Sequence, residues 1–485
     1  MPERVPDMRW PSRCLSALTA TAIVGCTVGP DYERPQVDMP ESWRFDYSEA
    51  AAAINTRWWE YFDDPVLTEL IETALRENQD VRIAAARVEQ FLGALRTTRS
   101  RFFPQVDYQG GVSRNRISED AFGSGGVDPY FTQYDAAGGA FWQIDLFGRV
   151  RRQTEAAQAR VYATEQARRG VILSVVTAVA TSYVTLLGLD SQLEISRATL
   201  ENYSGTLKIF ELRHKGGVVS QVELSQVRSE YQRALAQIPT LEAQVAAQEN
   251  LLSIIVGRDP GPILRGRKID ALARPDVPSA LPASLLERRP DIVQAEQNLI
   301  AANAEIGVAK SLYYPDISMT ADYGAASEDL DDFLDSSARA WSLGANIVGP
   351  IFTAGAIAGQ VDSSAAAREA AVQTYQFTIL NALREVNDAL ISTTKSVETY
   401  AALSGRVDSL REYSRLAFLR FDNGAASYLE VLYANEQLFD AELVAVQAKV
   451  DTFNSLIDVY KSMGGGWVDE AVSLAPTPEE VVSQE

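Results

Sequence analysis

The chain contains two copies of one segment. Asp80 and the pair Phe103-Pro104 recur as Asp291 and Tyr314-Pro315 at a spacing of 211 residues, with an alanine-rich helical pattern between them in each copy. A second set recurs at a spacing of 207, in which Leu212, Arg213, Gly217, Ser220 and Glu223 match Leu419, Arg420, Gly424, Ser427 and Glu430. Solenoid repeats have periods of roughly 20–50 residues, so this period is far too long for one. The sequence therefore predicts a duplicated structural unit and a molecule built from two pseudo-equivalent, interleaved halves.

Composition argues against several functional classes. The net charge is −21, which argues against nucleic-acid binding because phosphate contacts require clustered Lys and Arg. If signal cleavage removes Cys14 and acylation blocks Cys26, the mature chain has no free thiol and a single histidine, His214. It would then lack the residues for thiol catalysis, a Cys/His zinc site or a histidine-based triad. Acidic residues are plentiful, which leaves a carboxylate-pair hydrolase open on counting alone. No paired-carboxylate motif, phosphate loop or apolar run of about 18–20 residues stands out, and we predict no enzyme, no metal site and no membrane-spanning helix.

The N-terminus predicts a lipoprotein signal. Arg9 and Arg13 precede an apolar stretch over residues 14–25, which has signal-peptide length. The stretch ends in Ile-Val-Gly-Cys, which resembles a bacterial lipobox. We therefore predict that residues 1–25 are removed and that Cys26 carries S-diacylglycerol and N-palmitoyl groups. An ordinary secretory signal followed by a chance cysteine is the alternative.

Two further points concern the same segment. Thr27 stands where an Asp would resemble an inner-membrane retention signal, which favours delivery to the outer membrane. Residues 1–7 carry two acids and two prolines, which suit the start of a signal peptide poorly. Translation from Met8 is therefore a hypothesis that N-terminal sequencing of the unprocessed precursor would test.

The first half predicts a long helical hairpin. Residues 148–213 contain no proline, and a continuous helix of this length would measure ~100 Å. Spacings of three and four follow the seam of a coiled coil, at Leu186, Leu189, Leu193, Ser196, Leu200, Tyr203, Leu207 and Phe210. Gly216 and Gly217 are predicted to end this helix, and Ser220 to cap the next one. Pro239 lies inside the return helix and is expected to kink or interrupt it.

The second half repeats this design. Residues 356–421 lack proline, Asp-Asn-Gly at 422–424 breaks the pattern, Ser427 restarts it, and residues 429–461 return. Heptad stripes usually indicate helix packing and nothing more, so they predict a second antiparallel hairpin without assigning it a function.

Four short segments alternate with a period of two, which is typical of strands. They lie at residues 106–113, 133–145, 316–323 and 341–347, and residues 114–129 and 326–337 are predicted as the turns of two hairpins. Each is close to the 9–11 residues of a transmembrane strand, with aromatic residues towards the ends. Strands of a soluble sandwich are the alternative.

In a membrane, these strands require an oligomer. Unpaired backbone groups at an open sheet edge cost several kcal/mol in lipid, and known outer-membrane barrels have about eight strands or more. Four strands cannot close such a barrel, so several chains are predicted to contribute to one.

Four motifs follow one another along the chain. They are Cys-Thr-Val-Gly-Pro-Asp-Tyr-Glu-Arg-Pro at 26–35, Trp-Trp-Glu-Tyr-Phe-Asp-Asp-Pro-Val-Leu at 58–67, Arg-Arg-Pro-Asp-Ile at 288–292 with a continuation to Pro315, and Gly-Gly-Gly-Trp at 464–467. Together they resemble the TolC-type outer membrane efflux family, in the lipoprotein branch that serves resistance-nodulation-division (RND) pumps. The resemblance covers nearly the whole mature chain.

The resemblance implies a mixed α and β membrane protein with an internal duplication. Three chains of four strands would give a twelve-stranded transmembrane β-barrel, continued by a long periplasmic α-helical barrel of coiled-coil hairpins, with an equatorial domain. The implied boundaries are 26–64 for the lipid-anchored and equatorial segment, 65–285 for the first repeat (strands at about 103–147, hairpin at about 148–257), 286–463 for the second (strands at about 314–353, hairpin at about 356–463) and 464–485 for an equatorial tail.

The resemblance also implies a function and partners. The chain would be an outer membrane duct that passively conducts drugs or other toxic small molecules. A homotrimer would dock to a periplasmic adaptor and an inner-membrane RND transporter, in contact with outer membrane lipid and without nucleic acid. Ducts of type I protein secretion or heavy-metal efflux share this fold and remain alternatives. A periplasmic coiled-coil scaffold without a pore is a rival from another class, but it would not need the four strands.

The hairpin tips are the predicted functional sites. Family members close the periplasmic end near the second tip, where Glu430 takes the acidic position and Tyr433 replaces a second acid found in some relatives; Glu223 is the first-half equivalent of Glu430. An ordinary surface glutamate is the alternative for Glu430. The predicted adaptor contacts are Gly216, Gly217, Ser220, Gly424 and Ser427. Because Tyr433 corresponds to Gln226, and Val446 to Pro239, we expect the gate at the second tip.

Overall fold

The computed structural model describes residues 27–38, 40, 57–116, 118, 129–274, 277, 288–464 and 467–483. The predictions on the signal peptide, on Cys26 and on residues 465–466 lie outside the described residues. The chain divides into two compact units. The sheet unit comprises Met1–Pro35, Gln90–Tyr162 and Glu296–Gln373, and the hairpin unit comprises Gln36–Glu89, Ala163–Ala295 and Thr374–Glu485. Each unit takes segments from both halves of the duplication.

The sheet unit contains one four-stranded sheet. Its strands are β1 (Gln105–Arg116), β2 (Tyr130–Ile144), β3 (Asp316–Ser327) and β4 (Arg339–Val348), in the order β1-β2-β3-β4 with every pair antiparallel. All four predicted strands are present. The predicted turns begin too early, because Arg114 pairs with Thr132 and Arg116 with Tyr130 in the ladder. Backbone hydrogen bonds continue there although the side chains no longer alternate.

The register gives the sheet two chemically different faces. Opposite positions share a face, so one face carries the apolar row Tyr108, Gly138, Tyr323 and Trp341. The adjacent row on the other face is Asp107, Gly139, Asp322 and Ser342. Large apolar side chains on the first face are exposed, with Tyr108 93% and Trp341 76% accessible. A sheet with an exposed apolar face needs a partner or a lipid environment to cover it.

Nine α-helices occur among the described residues. They are α1 (Pro65–Glu77), α2 (Gln79–Ser100), α3 (Arg149–Lys215), α4 (Gln221–Val256), α5 (Pro290–Ser311), α6 (Ala356–Asp422), α7 (Tyr428–Ser462), α8 (Trp467–Leu474) and α9 (Pro478–Val482). The pairs α3–α4 and α6–α7 confirm the two predicted hairpins. The long outgoing helices each contain 67 residues, as expected from segments without proline, and the glycines inside them do not break the helices.

The prediction that Pro239 could interrupt the return helix was wrong. Helix α4 runs unbroken from Gln221 to Val256 with Pro239 inside it. Buried Ala234 and Leu241 hold the helix on either side of the proline. Both Pro239 and Leu235, whose carbonyl loses its amide partner, are exposed. Packing therefore outweighs the missing hydrogen bond, and water can satisfy the freed carbonyl.

An aromatic core holds the hairpin unit together. The Trp58 ring stacks on Tyr460 at a centroid distance of 5.1 Å and meets Trp59, Phe62 and Trp467 edge-on at 5.9 Å each. Trp58, Trp59 and Phe62 are fully buried. Aromatic pairs in these geometries add about 0.5–1.5 kcal/mol each beyond the burial of their area. The motif at 58–67 and Trp467, the last residue of the Gly-Gly-Gly-Trp motif, therefore meet in one core.

Helix α3 passes through the same core. It contains an 18-residue window of mean hydropathy 2.0, long and apolar enough to cross a membrane, although no such stretch was expected from the sequence. In the structure 67% of that window is buried. Its buried residues, from Ile172 to Leu187, pack with Trp58 and Leu67. The window is thus accounted for by core packing.

Asp64 joins three segments of the hairpin unit. It is 2% exposed and caps α1 by accepting hydrogen bonds from the backbone N–H of Val66 (2.9 Å) and Leu67 (3.3 Å). Its second oxygen accepts from the Tyr183 hydroxyl (3.0 Å) on α3 and the Arg267 N–H (2.8 Å). These bonds satisfy a buried carboxylate, which would otherwise be costly.

Candidate functional site

A row of carboxylates crosses the polar face of the sheet. A Cβ at Gly139 would lie 2.7 Å from Asp107 Oδ1 and 3.1 Å from Asp322 Oδ1. Only glycine leaves room for both side chains, so the two carboxylates flank the same backbone position on β2. The Ser342 hydroxyl donates to Asp322 Oδ2 at 2.9 Å and fixes that side chain. The polar face thus carries fixed negative charge.

The backbones of the two hairpin tips are built alike. In the first tip the Val218 N–H donates to the Arg213 carbonyl (2.9 Å), and in the second the Ala425 N–H donates to the Arg420 carbonyl (2.8 Å). Both bonds close a Schellman motif around a glycine with positive φ, Gly217 at 73° and Gly424 at 70°. These are positions where a side chain would be strained, which explains why glycine recurs at the spacing of 207.

The return helices begin differently at the two tips. At the first, Ser220 and Glu223 form a capping box: the Glu223 N–H donates to Ser220 Oγ (3.2 Å), and the Ser220 N–H donates to Glu223 Oε2 (2.7 Å). At the second, Ser427 is the N-cap, but its side chain makes no capping hydrogen bond. Glu430 instead accepts from Arg420 Nη1 at 2.7 Å. The two equivalent glutamates therefore differ in role: Glu223 caps a helix, and Glu430 forms an ion pair.

The capping box has a pH dependence. The hydrogen bonds from Ser220, first that of its backbone N–H, hold the pKa of Glu223 below its ordinary value. A carboxylate whose pKa is lowered in the folded state stabilises that state above the unfolded pKa. The stabilisation is lost as the pH falls through the lowered, folded pKa. The first tip should therefore keep its cap throughout the neutral range.

The two tips contact each other through aromatic side chains. Tyr428, 6% exposed, packs against Phe210 at 4.4 Å and Phe421 at 5.0 Å between ring centroids. The guanidinium of Arg213 lies over the Phe421 ring at 6.0 Å. Arg213 and Arg420 are equivalent positions, but Arg213 reaches across to the other hairpin, whereas Arg420 pairs with Glu430 in its own.

One face of α7 carries the predicted aperture residues. Glu430 and Tyr433 are three residues apart and so share a face of the helix. The Glu430 side chain is 26% exposed, and Tyr433 is 55% exposed. The structure thus brings the two second-half residues together, whereas Glu223 lies on the other hairpin in its capping box.

A charged cluster further along α7 was missed from the sequence. Arg233 on α4 donates to Glu436 Oε1 (2.7 Å), to Asp440, and to Glu230 on its own helix (3.3 Å). Burial raises the pKa of the Glu230 carboxyl, although the charge of Arg233 opposes this. Arg233 and Asp440 occupy equivalent positions in the two halves, 207 residues apart. The sequence could have predicted this ion pair between the two hairpins, because it has opposite charges at equivalent positions of the two halves.

The predicted contact residues lie on the surface of the tips. Gly216, Gly217, Ser220, Gly424 and Ser427 are all exposed. Exposed apolar side chains surround them, namely Leu212 (66%), Val218 (74%) and Val222 (67%) at the first tip and Leu419 (43%) and Leu429 (54%) at the second. Grouped exposed apolar side chains of this kind mark surfaces that bind a partner.

Residues 27–34 form a strap that docks on the sheet unit. Arg152, whose side chain is 5% exposed, donates to Asp31 Oδ1 (2.8 Å) and to the carbonyls of Val28 (3.2 Å) and Gly29 (3.3 Å). Asn303, 2% exposed, donates to the Pro30 carbonyl at 3.0 Å. The strap is therefore held by buried polar groups that use its backbone.

The same strap is fixed at both ends. Tyr32 and Arg34 donate to Glu296, whose side chain is 8% exposed, with Arg34 Nε at 2.6 Å from Oε1. At the other end Thr27 lies so close to Gly148 that a Cβ there would be 2.8 Å from Thr27 Cγ2. Thr27, the residue that follows Cys26, thus lies beside Gly148, which is four residues beyond the end of β2.

Known proteins resemble this chain over most of its length. A family model described as "Outer membrane efflux protein" matches residues 70–258 and 281–465. The chain is 35% identical to the solvent efflux pump outer membrane protein SrpC of Pseudomonas putida, over 91% of this chain and 96% of that protein. It is 29% identical to the probable outer membrane lipoprotein SilC of Salmonella typhimurium, over 94% and 99% of the two chains. The open-state crystal structure of the outer membrane channel MtrE of Neisseria gonorrhoeae superposes with a TM-score of 0.83 at 27% identity, over 91% of this chain and 99% of that one.

Proposed function

This chain belongs to the outer membrane efflux protein family and forms the outer membrane exit duct of an efflux system, and from that premise we propose a homotrimeric assembly. The observation that supports this proposal is the state of the sheet. Its apolar face is exposed, its opposite face is polar, and both edge strands lack a neighbour within the described part of the chain. Three copies would close twelve strands with the apolar face towards lipid. Closure would remove every open edge, which lipid does not tolerate.

The duct is passive, and no chemical step is assigned to it. We propose that it works with a periplasmic adaptor and an inner-membrane RND transporter, which supplies the energy. The exposed apolar side chains around the two glycine tips support the tips as adaptor contacts. The carboxylates of Asp107 and Asp322 would face the lumen, where fixed negative charge favours cations.

The cargo is proposed from the relatives. SrpC is named a solvent efflux pump protein, and another 32% identical relative, ArpC of Pseudomonas putida, an antibiotic efflux pump protein. We therefore propose toxic organic small molecules as the substrate class. The Cys26 lipid is likewise a proposal, supported by the lipobox, by the lipoprotein name of SilC and by the position of Thr27 beside Gly148.

Deletion of the gene tests this function. The deletion strain should become sensitive to organic solvents, antibiotics, dyes or bile salts, and the wild-type gene should restore resistance. Sensitivity to metals alone would assign the duct to metal efflux. A strain that shows no new sensitivity but fails to export a protein would favour the secretion alternative.

The aperture is proposed at the second tip, on the α7 face that carries Glu430 and Tyr433. Replacing both residues with alanine removes a ring of charge and a ring of aromatic bulk, so single-channel conductance in planar bilayers should rise. Gln226→Ala, at the position equivalent to Tyr433 in the first half, is the matched control and should leave conductance unchanged. Equal conductance in the double variant and the wild type would place the constriction elsewhere.

A further inference from the structure

A pocket of about 320 Å³ lies on the polar face of the sheet, at the end where α2 and α3 join it. Alternate residues of β2, β3 and β4 line it, namely Phe141, Gln143, Asp316, Ser318 and Val348. By the register these residues share a face with Gly139 and Asp322. The pocket therefore opens on the side of the sheet that carries the row of carboxylates.

Two arginines line this pocket from the helical side. Arg149 is the first residue of α3, and its Nη1 donates to both oxygens of Asp316, at 3.0 and 3.3 Å. Asp316 also accepts from Gln143 at 3.0 Å. Arg101, the residue after α2, donates from Nη1 to Gln153 Oε1 at 3.1 Å and pairs with no carboxylate among the described residues. The lining therefore carries two positive charges and one negative, and the unmatched charge is that of Arg101.

The same pocket offers apolar surface beside this charge. Phe141 is 47% exposed and Val348 is 70% exposed, although both lie on the polar face of the sheet. Ligand sites combine apolar lining with a few placed polar groups, and their volumes begin at about 300 Å³. Guanidinium groups bind carboxylates through charge-assisted hydrogen bonds. The pocket thus has the size and the chemistry for a small molecule with one carboxylate and an apolar body.

The duplication shows that the helix–sheet joint does not need these arginines. At the offset of 211 Arg101 corresponds to Leu312, and at the offset of 207 Arg149 corresponds to Ala356. The second half nevertheless builds the same joint, because α5 matches α2 and α6 matches α3 at these offsets. Residues that only stabilise the joint would be expected in both halves. The charge at this pocket therefore calls for an explanation other than folding.

We propose that this pocket binds a small organic acid, whose carboxylate pairs with Arg101 and Arg149 and whose apolar body contacts Phe141. Its role in passage rests on the proposed duct, in which the polar face borders the lumen. The row of Asp107 and Asp322 lies about 20 Å further along the strands, six residues from Asp316 at 3.4 Å per residue. An organic acid leaving the helical part of the duct would thus meet a cationic site before it meets that row.

Saturation-transfer difference NMR on the full-length protein in lipid nanodiscs tests the site, with benzoate as the probe. Benzoate should receive more saturation transfer than it does from empty nanodiscs. Benzamide has the same ring without the charge and should receive several-fold less. Arg101→Gln should weaken benzoate binding by on the order of tenfold, because a hydrogen bond to a charged group contributes at least the energy of a tenfold change in affinity.

The matched control is Arg99→Gln. Arg99 is exposed and also donates to a glutamine of α3, Gln158 at 2.7 Å, but it is not among the residues that line the pocket. The substitution removes the same charge two residues away, so benzoate binding should stay as in the wild type. An equal loss of binding in both variants would reveal only a general attraction of anions to a basic surface, and would overturn the site.

A competition experiment distinguishes an organic acid from any anion. Phenylacetate should displace benzoate at several-fold lower concentration than inorganic phosphate, since phosphate has no apolar body to contact Phe141. Equal displacement by the two competitors would overturn the assignment to organic acids. Absence of saturation transfer to benzoate in the wild type would overturn the site altogether.

The same preparation separates this proposal from the proposed function. A trimer by native mass spectrometry that conducts in planar bilayers but does not bind benzoate overturns the site and keeps the duct. A monomer that binds benzoate with the expected loss in Arg101→Gln supports the pocket, but it overturns the duct and with it the role of the pocket in passage.

Discussion

Trp58→Ala is expected to lower the free energy of unfolding of the hairpin unit by about 3–5 kcal/mol, the range measured for buried aromatic side chains. The indole is fully buried and contacts four other aromatic rings, including the stacked Tyr460 at 5.1 Å. Its removal leaves a cavity where the motif at 58–67 meets Trp467 and Tyr460. Urea unfolding of the detergent-solubilised protein, followed by far-ultraviolet circular dichroism, measures the shift in midpoint.

The control for this variant is Tyr61→Ala. Tyr61 belongs to the same short helix, Trp58–Phe62, but is 46% exposed. Surface substitutions usually change stability by about 0.5 kcal/mol or less, so its midpoint should stay close to that of the wild type. Similar midpoints for all three proteins would contradict the aromatic core.

Arg152→Ala is expected to release the strap. The buried guanidinium donates to two strap carbonyls and to Asp31, and bonds to a charged group contribute about 1.5–3 kcal/mol each. Their loss should weaken docking by on the order of 3 kcal/mol or more, roughly a hundredfold in the docking equilibrium. Hydrogen–deuterium exchange of residues 27–34, read by mass spectrometry, should become correspondingly faster.

A second arginine on the same helix serves as the control. Arg149 pairs with Asp316 at 3.0 Å and forms no hydrogen bond with the strap in the described part of the chain, so Arg149→Ala should leave exchange in residues 27–34 unchanged. If Arg152→Ala also leaves exchange unchanged, the buried guanidinium does not hold the strap.

Periodicity predicted the elements of this fold well. Alternation located all four strands, and the proline-free heptad segments located both long hairpins, because both patterns follow directly from burial on one face. The cap at Ser220 was predicted from residue type and is present with Glu223 as its partner. Local chemistry was sufficient for these features.

Long-range contacts could not be predicted in the same way. The strap motif was visible at 26–35, but its partners Arg152 and Asn303 lie 121 and 273 residues away from the strap residues they bind. Pro239 was misjudged because flanking burial at Ala234 and Leu241 is a tertiary effect. Glu223 and Glu430 differ in role because Arg420 pairs with Glu430 in its own hairpin, whereas Arg213 reaches across to the other hairpin. Residue type alone does not determine which contact an arginine makes.

We propose that each chain supplies one third of the wall of an outer membrane duct. Electron cryo-microscopy of the full-length protein in lipid nanodiscs tests it most directly. We expect a three-fold particle whose twelve strands close one barrel, with the apolar face towards lipid and Asp107 and Asp322 towards the lumen. A monomeric particle, or an assembly in which the four-stranded sheets remain open, would contradict it.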